Sequence, residues 1–159
     1  MTGAAMNVNE LSGGSASEGA AASGERFLAW LLRLMGATES LALAAVFMPQ
    51  AMMATIHARL GMGTLPDAAV VDYLTRSLSG LYTTHGFILL YLSFHVRRNL
   101  GVIEFWGAVT LVYGVILIGI DIHAGLPWFW VLLEGPVVAL MGALMQALSR
   151  RIASGRRSA

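Results

Sequence analysis

The 159-residue chain is 57% hydrophobic and only 12% charged, with a formal net charge of +1 and a mean hydropathy of +0.69. Soluble domains carry about a quarter charged residues, so this balance argues against a water-soluble globule. No basic patch is interleaved with aromatics, which argues against nucleic-acid binding. Cysteine is absent and all ten basic residues are Arg, which excludes disulfides, thiolate metal sites, Cys nucleophiles and Schiff-base chemistry through Lys.

Residues 1–25, MTGAAMNVNELSGGSASEGAAASGE, carry only Glu10, Glu18 and Glu25 as charges and are rich in Gly, Ala and Ser. They lack the basic start and apolar core of a secretory signal. They also lack apolar surface to offset ordering entropy, so a disordered cytoplasmic tail is expected. Four apolar segments follow, at about 27–48, 75–96, 101–120 and 128–148. Each approaches the ~20 residues needed to cross a bilayer as a helix. The expected fold is therefore an all-α polytopic membrane protein, a four-helix transmembrane bundle over 26–149, with a basic cytoplasmic tail at 150–159.

The longest connection, 49–74, begins at Pro49, which ends or bends the first helix. Met52, Met53, Ile56 and Leu60 then recur at helical spacing. That pattern predicts a short amphipathic helix in the outer loop, broken by 61-GMG-63. Pro66 and Asp67 predict the start of another helical turn. Arg26, 97-RR-98 and the four Arg of 150–159 fall at one side of a four-span arrangement. The opposite connections hold only Arg59 and the flanking Arg76. The positive-inside rule places both termini in the cytoplasm of an inner membrane. Trp128, Phe129 and Trp130 mark the outer interface, and Trp30 and Trp106 the inner one.

Counting depth places the polar residues. Arg33 and Glu104 lie near the cytoplasmic ends of their spans and are expected to pair. Glu39 and His85 fall near the middle and form the expected midplane pair. Arg76 is level with Asp121 at the outer side. Glu134 lies six residues below Trp128, with Arg76 or His85 as its expected partner, while Asp121 and His123 are expected in a tight outer turn. On the third span, Glu104, Gly107, Gly114 and Asp121 share one face. On the fourth, Gly135, Ala139 and Ala143 form a row of small residues with Gly142 beside it, a pattern that allows close helix approach.

Ionisable residues inside a membrane are functional candidates by default. Two readings of Arg33, Glu39, Arg76, His85, Glu104, Asp121 and Glu134 stand open: a network that fixes helix packing, or a proton, ion or ligand path through Glu39, His85, Asp121 and Glu134. His57, Asp121 and His123 are the only candidate metal ligands, as an outer-face cluster. No two histidines match in depth for haem, and no cofactor is expected. Hydrolase, P-loop, zincin and dinucleotide signatures are absent.

The opening 33-RLMG-36 of the first span, the four helices and two cytoplasmic ends resemble small bacterial inner-membrane proteins of the DoxX-like kind. Glu39 and Ser40 stand where a basic residue is usual later in that helix. The segments 78-LSGLYTTHG-86, 97-RR-98, 119-GID-121, 126-LPWFW-130 and 134-EGP-136 are similar to uncharacterised membrane proteins of this size. Some DoxX-like members are membrane subunits of quinone-linked oxidoreductases, and the resemblance implies that role as one alternative. The other expectations are a non-enzymatic accessory membrane component and a small proton-coupled carrier using Glu39 and His85. The expected partners are the lipid bilayer and a second copy or another membrane subunit.

Overall fold

The computed structural model describes residues 8–155, with side chains described from Ala22 onward. The described residues are all-helical: α1 (Val8–Ser40), α2 (Leu43–Phe47), α3 (Gln50–Arg59), α4 (Ala69–Phe94), α5 (Leu100–His123), α6 (Trp128–Leu133) and α7 (Gly135–Gly155), with a 3-10 turn at Val96–Arg98 between α4 and α5. α1 begins at Val8, so most of the segment expected as a disordered tail continues the first helix. Extending an existing helix needs no new nucleation, and Ala16 and Ala20–Ala22 favour it. Residues 1–7, and residues 156–159 of the expected basic tail, lie outside the described residues.

Among the described residues three stretches are long and apolar enough to cross a membrane: Ala22–Phe47, Leu100–His123 and Trp128–Gly155. α4 has 26 residues, but Ser, Thr, Gly and His between its apolar side chains lower its hydropathy. Two of the three stretches are interrupted. Ser40 ends α1, and α2 starts at Leu43 after short-range bonds such as Leu41 N to Thr38 O (3.2 Å) and Ala42 N to Glu39 O (3.0 Å). α6 ends at Leu133, Glu134 takes a ψ of −75°, and α7 resumes at Gly135. Pro136 has no N–H to continue the α6 ladder, which accounts for the break. Sequence reading treats both stretches as continuous spans; the second instead breaks next to Glu134.

The helices associate as two close pairs, α1 with α4 and α5 with α7, and α1 also touches α7. Glycine sets the approach in each pair. A Cβ on Gly36 would lie 2.7 Å from the Gly86 carbonyl oxygen, and one on Gly86 would lie 2.7 Å from that of Gly36. In the second pair Gly107 faces the Gly142 carbonyl, Gly114 faces the Ala139 backbone, and Gly142 faces the Leu111 amide. The small row on α7 thus runs through Gly135, Ala139 and Gly142. Gly142 is buried while Ala143 is half-buried; the bend at Glu134 decides which residues face α5. Leu28, Leu32, Leu89, Ile103 and Met145 fill the space between the pairs and are essentially inaccessible.

The outside of the bundle is apolar. On α4 the exposed large side chains are Val70, Tyr73, Leu74, Leu78, Leu81, Tyr82, Phe87, Ile88, Tyr91 and Phe94. Its buried face carries Thr83, Gly86 and Ser93 beside Leu89 and Leu92. A helix with apolar residues outward and polar residues inward inverts the soluble pattern. The turn between α4 and α5 meets the beginning of the bundle through Arg97 Nε, which donates to Glu25 Oε2 at 2.6 Å.

The loop following α2 contains α3, in which only Met53 of the expected apolar set is buried, while Met52, Ile56 and Leu60 are exposed. Gly61 and Gly63 end it at φ of 74° and 81°, values that favour glycine. Gln50 Nε2 donates to Asp67 Oδ1 at 3.0 Å across the loop. No helical turn starts at Pro66; α4 begins at Ala69.

Candidate functional site

Glu39 lies in the last turn of α1, His85 in the middle of α4 and Trp106 in α5. The Gly36–Gly86 contact sits one residue from His85 and three from Glu39, so close backbone approach delivers these two side chains to each other. His85 Nδ1 pairs with Glu39 Oε2, and Trp106 Nε1–H donates to His85 Nε2 at 2.6 Å. The imidazole and indole rings also stack at 5.2 Å between centroids. An indole N–H can only donate. His85 Nε2 must therefore be the unprotonated acceptor, and the single proton of a neutral imidazole sits on Nδ1, donated to the Glu39 carboxylate. A proton added to Nε2 has no place while Trp106 holds its bond.

Nine residues separate His85 from the end of α4 and six separate Trp106 from the start of α5, roughly 14 and 9 Å along helices rising 1.5 Å per residue. The site thus lies well inside both helices rather than at their ends. Trp106, expected in the inner aromatic belt, turns inward because its N–H finds His85. A buried indole needs a polar partner, and that need was the available signal.

A second polar group lies close by. Trp130 Nε1–H donates to Glu134 Oε2, four residues along the chain. Glu134 therefore takes its partner from its own segment, not Arg76 or His85 as depth counting expects. The hydroxyls of Tyr82 on α4 and Tyr113 on α5 interact, and Glu39 and Glu134 are both near enough to act electrostatically on Tyr82. Each acid lies at a helix break, Glu39 before the interruption at 41–42 and Glu134 between α6 and α7. Sequence reading missed Trp106, Trp130, Tyr82 and Tyr113 as members; the i, i+4 spacing of Trp130 and Glu134 was legible, whereas the tyrosine pair depends on how α4 and α5 meet.

The remaining expected residues go elsewhere. Arg76 Nε donates to both Asp72 oxygens at 3.0 Å, and its Nη1 donates to the Val46 carbonyl at 2.6 Å, tying α4 to the end of α2. Glu104 accepts from Arg150 Nε at 2.8 Å, not from Arg33. The guanidinium of Arg33 instead lies over the Phe94 ring, 4.8 Å from its centroid, because α1 runs beside α4 and not beside the start of α5. Asp121, expected in an outer turn, is in the last turn of α5 and only 2% exposed, and its Oδ2 has no hydrogen-bond partner. It lies on the Gly114–Leu117 face, which α6 and α7 cover. His123 is exposed, and His57 Nδ1–H donates to the Gly63 carbonyl of its own loop at 3.2 Å. Among the described residues no three His, Asp or Glu side chains gather to hold a metal.

Comparison with protein-family models, with curated proteins and with solved structures finds no match to this chain, so nothing there bears on the DoxX-like resemblance.

Proposed function

We propose that the chain is a four-span inner-membrane protein with both termini cytoplasmic, and that it is a small proton-coupled carrier whose proton site is the Glu39–His85–Trp106 chain. The observation that carries this reading is the position of the chain's carboxylate. Glu39 sits where a membrane-length helix breaks, and Glu134, the nearby second acid, sits at the break in another. Interrupted spanning helices near the bilayer middle are a recurrent architecture of substrate and coupling-ion sites in secondary transporters. Protonation of His85 at Nε2 requires release of Trp106, so proton occupancy is linked to the contact between α4 and α5. Four helices enclose little space, and a carrier of this size works as an assembly of copies.

Several features support α4 as the fourth span. At 26 residues it reaches about 39 Å, and its outward face is apolar. Its hydroxyls return to the backbone of the preceding turn: Thr75 to Val71 O, Ser79 to Thr75 O and Thr83 to Ser79 O, each at 2.8 Å. Such bonds satisfy these three hydroxyls without water. A reporter fused to the C-terminus tests the topology, and a periplasmic signal there refutes it.

The carrier reading is tested in proteoliposomes containing a pH dye, with an imposed potassium diffusion potential. Proton uptake above that of empty liposomes is expected for the natural chain, with loss in Glu39→Gln and His85→Ala proteins that keep their helicity. Uptake unchanged in both variants refutes it. The glycine contacts of both helix pairs favour a second reading, a non-enzymatic accessory component held by packing. That reading expects both polar variants to remain functional and substitutions at Gly107, Gly114 or Gly135 to abolish assembly.

A further inference from the structure

At the end of the bundle that holds the turn between α4 and α5, a cavity of about 410 Å³ opens between α1 and α4. Arg26, Arg33, Arg97, Glu25, Ser93 and Phe94 line it. Glu25 is engaged with Arg97 at 2.6 Å. Arg26 and Arg33 have no carboxylate partner among the described residues, and Arg33 rests on the Phe94 ring. Two guanidinium charges therefore stand beside an apolar surface with no carboxylate partner among the described residues, an arrangement that attracts an anion at headgroup level. Alongside the arginines the surface is apolar and exposed: Phe27, Trp30 and Leu34 on α1, Tyr91 and Phe94 on α4. Phe27 and Trp30 stack at 6.3 Å.

We propose that this cavity binds the phosphate of an anionic phospholipid headgroup, with the acyl chains lying along the Phe27–Trp30–Leu34 strip. The guanidinium fork matches two phosphate oxygens at once, and Phe94 holds the Arg33 fork from its other face. Basic pockets between spanning helices at headgroup level recognise anionic lipids by this combination of charge and apolar wall. The neighbouring cavity at Glu104, Arg150, Arg151 and Ser154 is a poorer fit, because Glu104 already neutralises Arg150. The inference rests on the reading that the chain spans a membrane, and does not depend on proton coupling.

The test is lipid retention in native mass spectrometry, after solubilisation from nanodiscs of equal phosphatidylglycerol and phosphatidylcholine. Phosphatidylglycerol is expected to be retained preferentially. An arginine near a lipid surface contributes about 1 kcal/mol, or about fivefold, so the Arg26→Gln/Arg33→Gln double variant is expected to lose roughly 25-fold of that preference. Arg98→Gln removes one charge at the same end of the bundle but outside the cavity, and is expected to cost no more than the roughly fivefold of a general surface charge. A photoactivatable phosphatidylglycerol cross-linked to the natural chain should label peptides around residues 22–34 and 91–97, a readout that needs no variant. Equal retention of the two lipids, an equal loss in Arg98→Gln, or labelling confined to other helices overturns the proposal. Thermal stabilisation by inorganic phosphate matching that by the lipid also overturns it, since the ligand is then the free anion. Alkaline carbonate extraction of membranes separates the two levels. A chain that stays in the membrane but shows no lipid preference loses this inference alone; a chain that is extracted loses the spanning reading as well.

Discussion

Gly86→Ala is the substitution that most directly couples packing to the polar chain. The added Cβ would stand 2.7 Å from the Gly36 carbonyl oxygen, 2.8 Å from the Ser40 amide nitrogen and 2.8 Å from Ser40 Oγ. Two of these neighbours are backbone, and Ser40 Oγ is itself tied to the Gly36 carbonyl at 2.7 Å, so none can swing aside. Ordinary non-bonded contact lies at about 3.5 Å, so α1 and α4 must separate locally by roughly 0.8 Å. Overpacking of this kind costs about 1–3 kcal/mol. His85 is the adjacent residue on α4, and Glu39 precedes Ser40 on α1, so the same displacement stretches the Glu39–His85 bond and shifts the imidazole against Trp106. The assay pairs reversible unfolding in mixed detergent micelles with 15N NMR of the indole N–H groups, the Trp106 signal being assigned by Trp106→Phe. Loss of stability in the stated range together with a shifted Trp106 signal is expected. A variant as stable as the natural chain with an unmoved Trp106 signal refutes the claim that Gly36 and Gly86 position the site.

Two further substitutions separate packing from polarity. Trp106→Phe keeps the aromatic contact but strips His85 Nε2 of its donor, an unsatisfied acceptor that costs roughly 1–3 kcal/mol; in exchange the imidazole can be protonated at Nε2 with no bond to break. The 15N signal of His85 Nε2 is therefore expected to move in this variant as it loses the indole donor, and an unmoved signal would refute the Trp106–His85 bond. Asp121→Leu replaces a buried carboxyl with an unpartnered oxygen by an apolar side chain of similar volume. Such exchanges are often neutral or stabilising, so thermal stability is expected to hold or rise; a clear fall would mean that Asp121 has a partner in the assembled protein.

Much of the architecture was legible because it rests on one-dimensional quantities. Hydropathy located membrane-length helices, glycine spacing marked the faces of α5 and α7 that meet, and depth counting set Glu39 opposite His85. Each follows from the fixed rise and period of a helix and from the cost of charge in hydrocarbon. Partner choice was not legible in that way. Depth counting paired Arg33 with Glu104, but two residues at equal depth meet only if their helices are neighbours, and α1 lies beside α4 while Glu104 faces Arg150 on α7. Glu134 found Trp130 because side chains four apart meet on one helix face, a local partner that depth counting between helices passes over.

Composition and periodicity alone determined that the described chain is helical, apolar outside and sparing with charge, because those properties are sums over residues taken in order. Only the tertiary structure decided that Trp106 closes the far side of His85, that Asp121 is buried without a partner for its Oδ2, and that Arg26 and Arg33 share a cavity. Each of these depends on which helices touch and how closely, and glycine contacts between particular backbones set that distance.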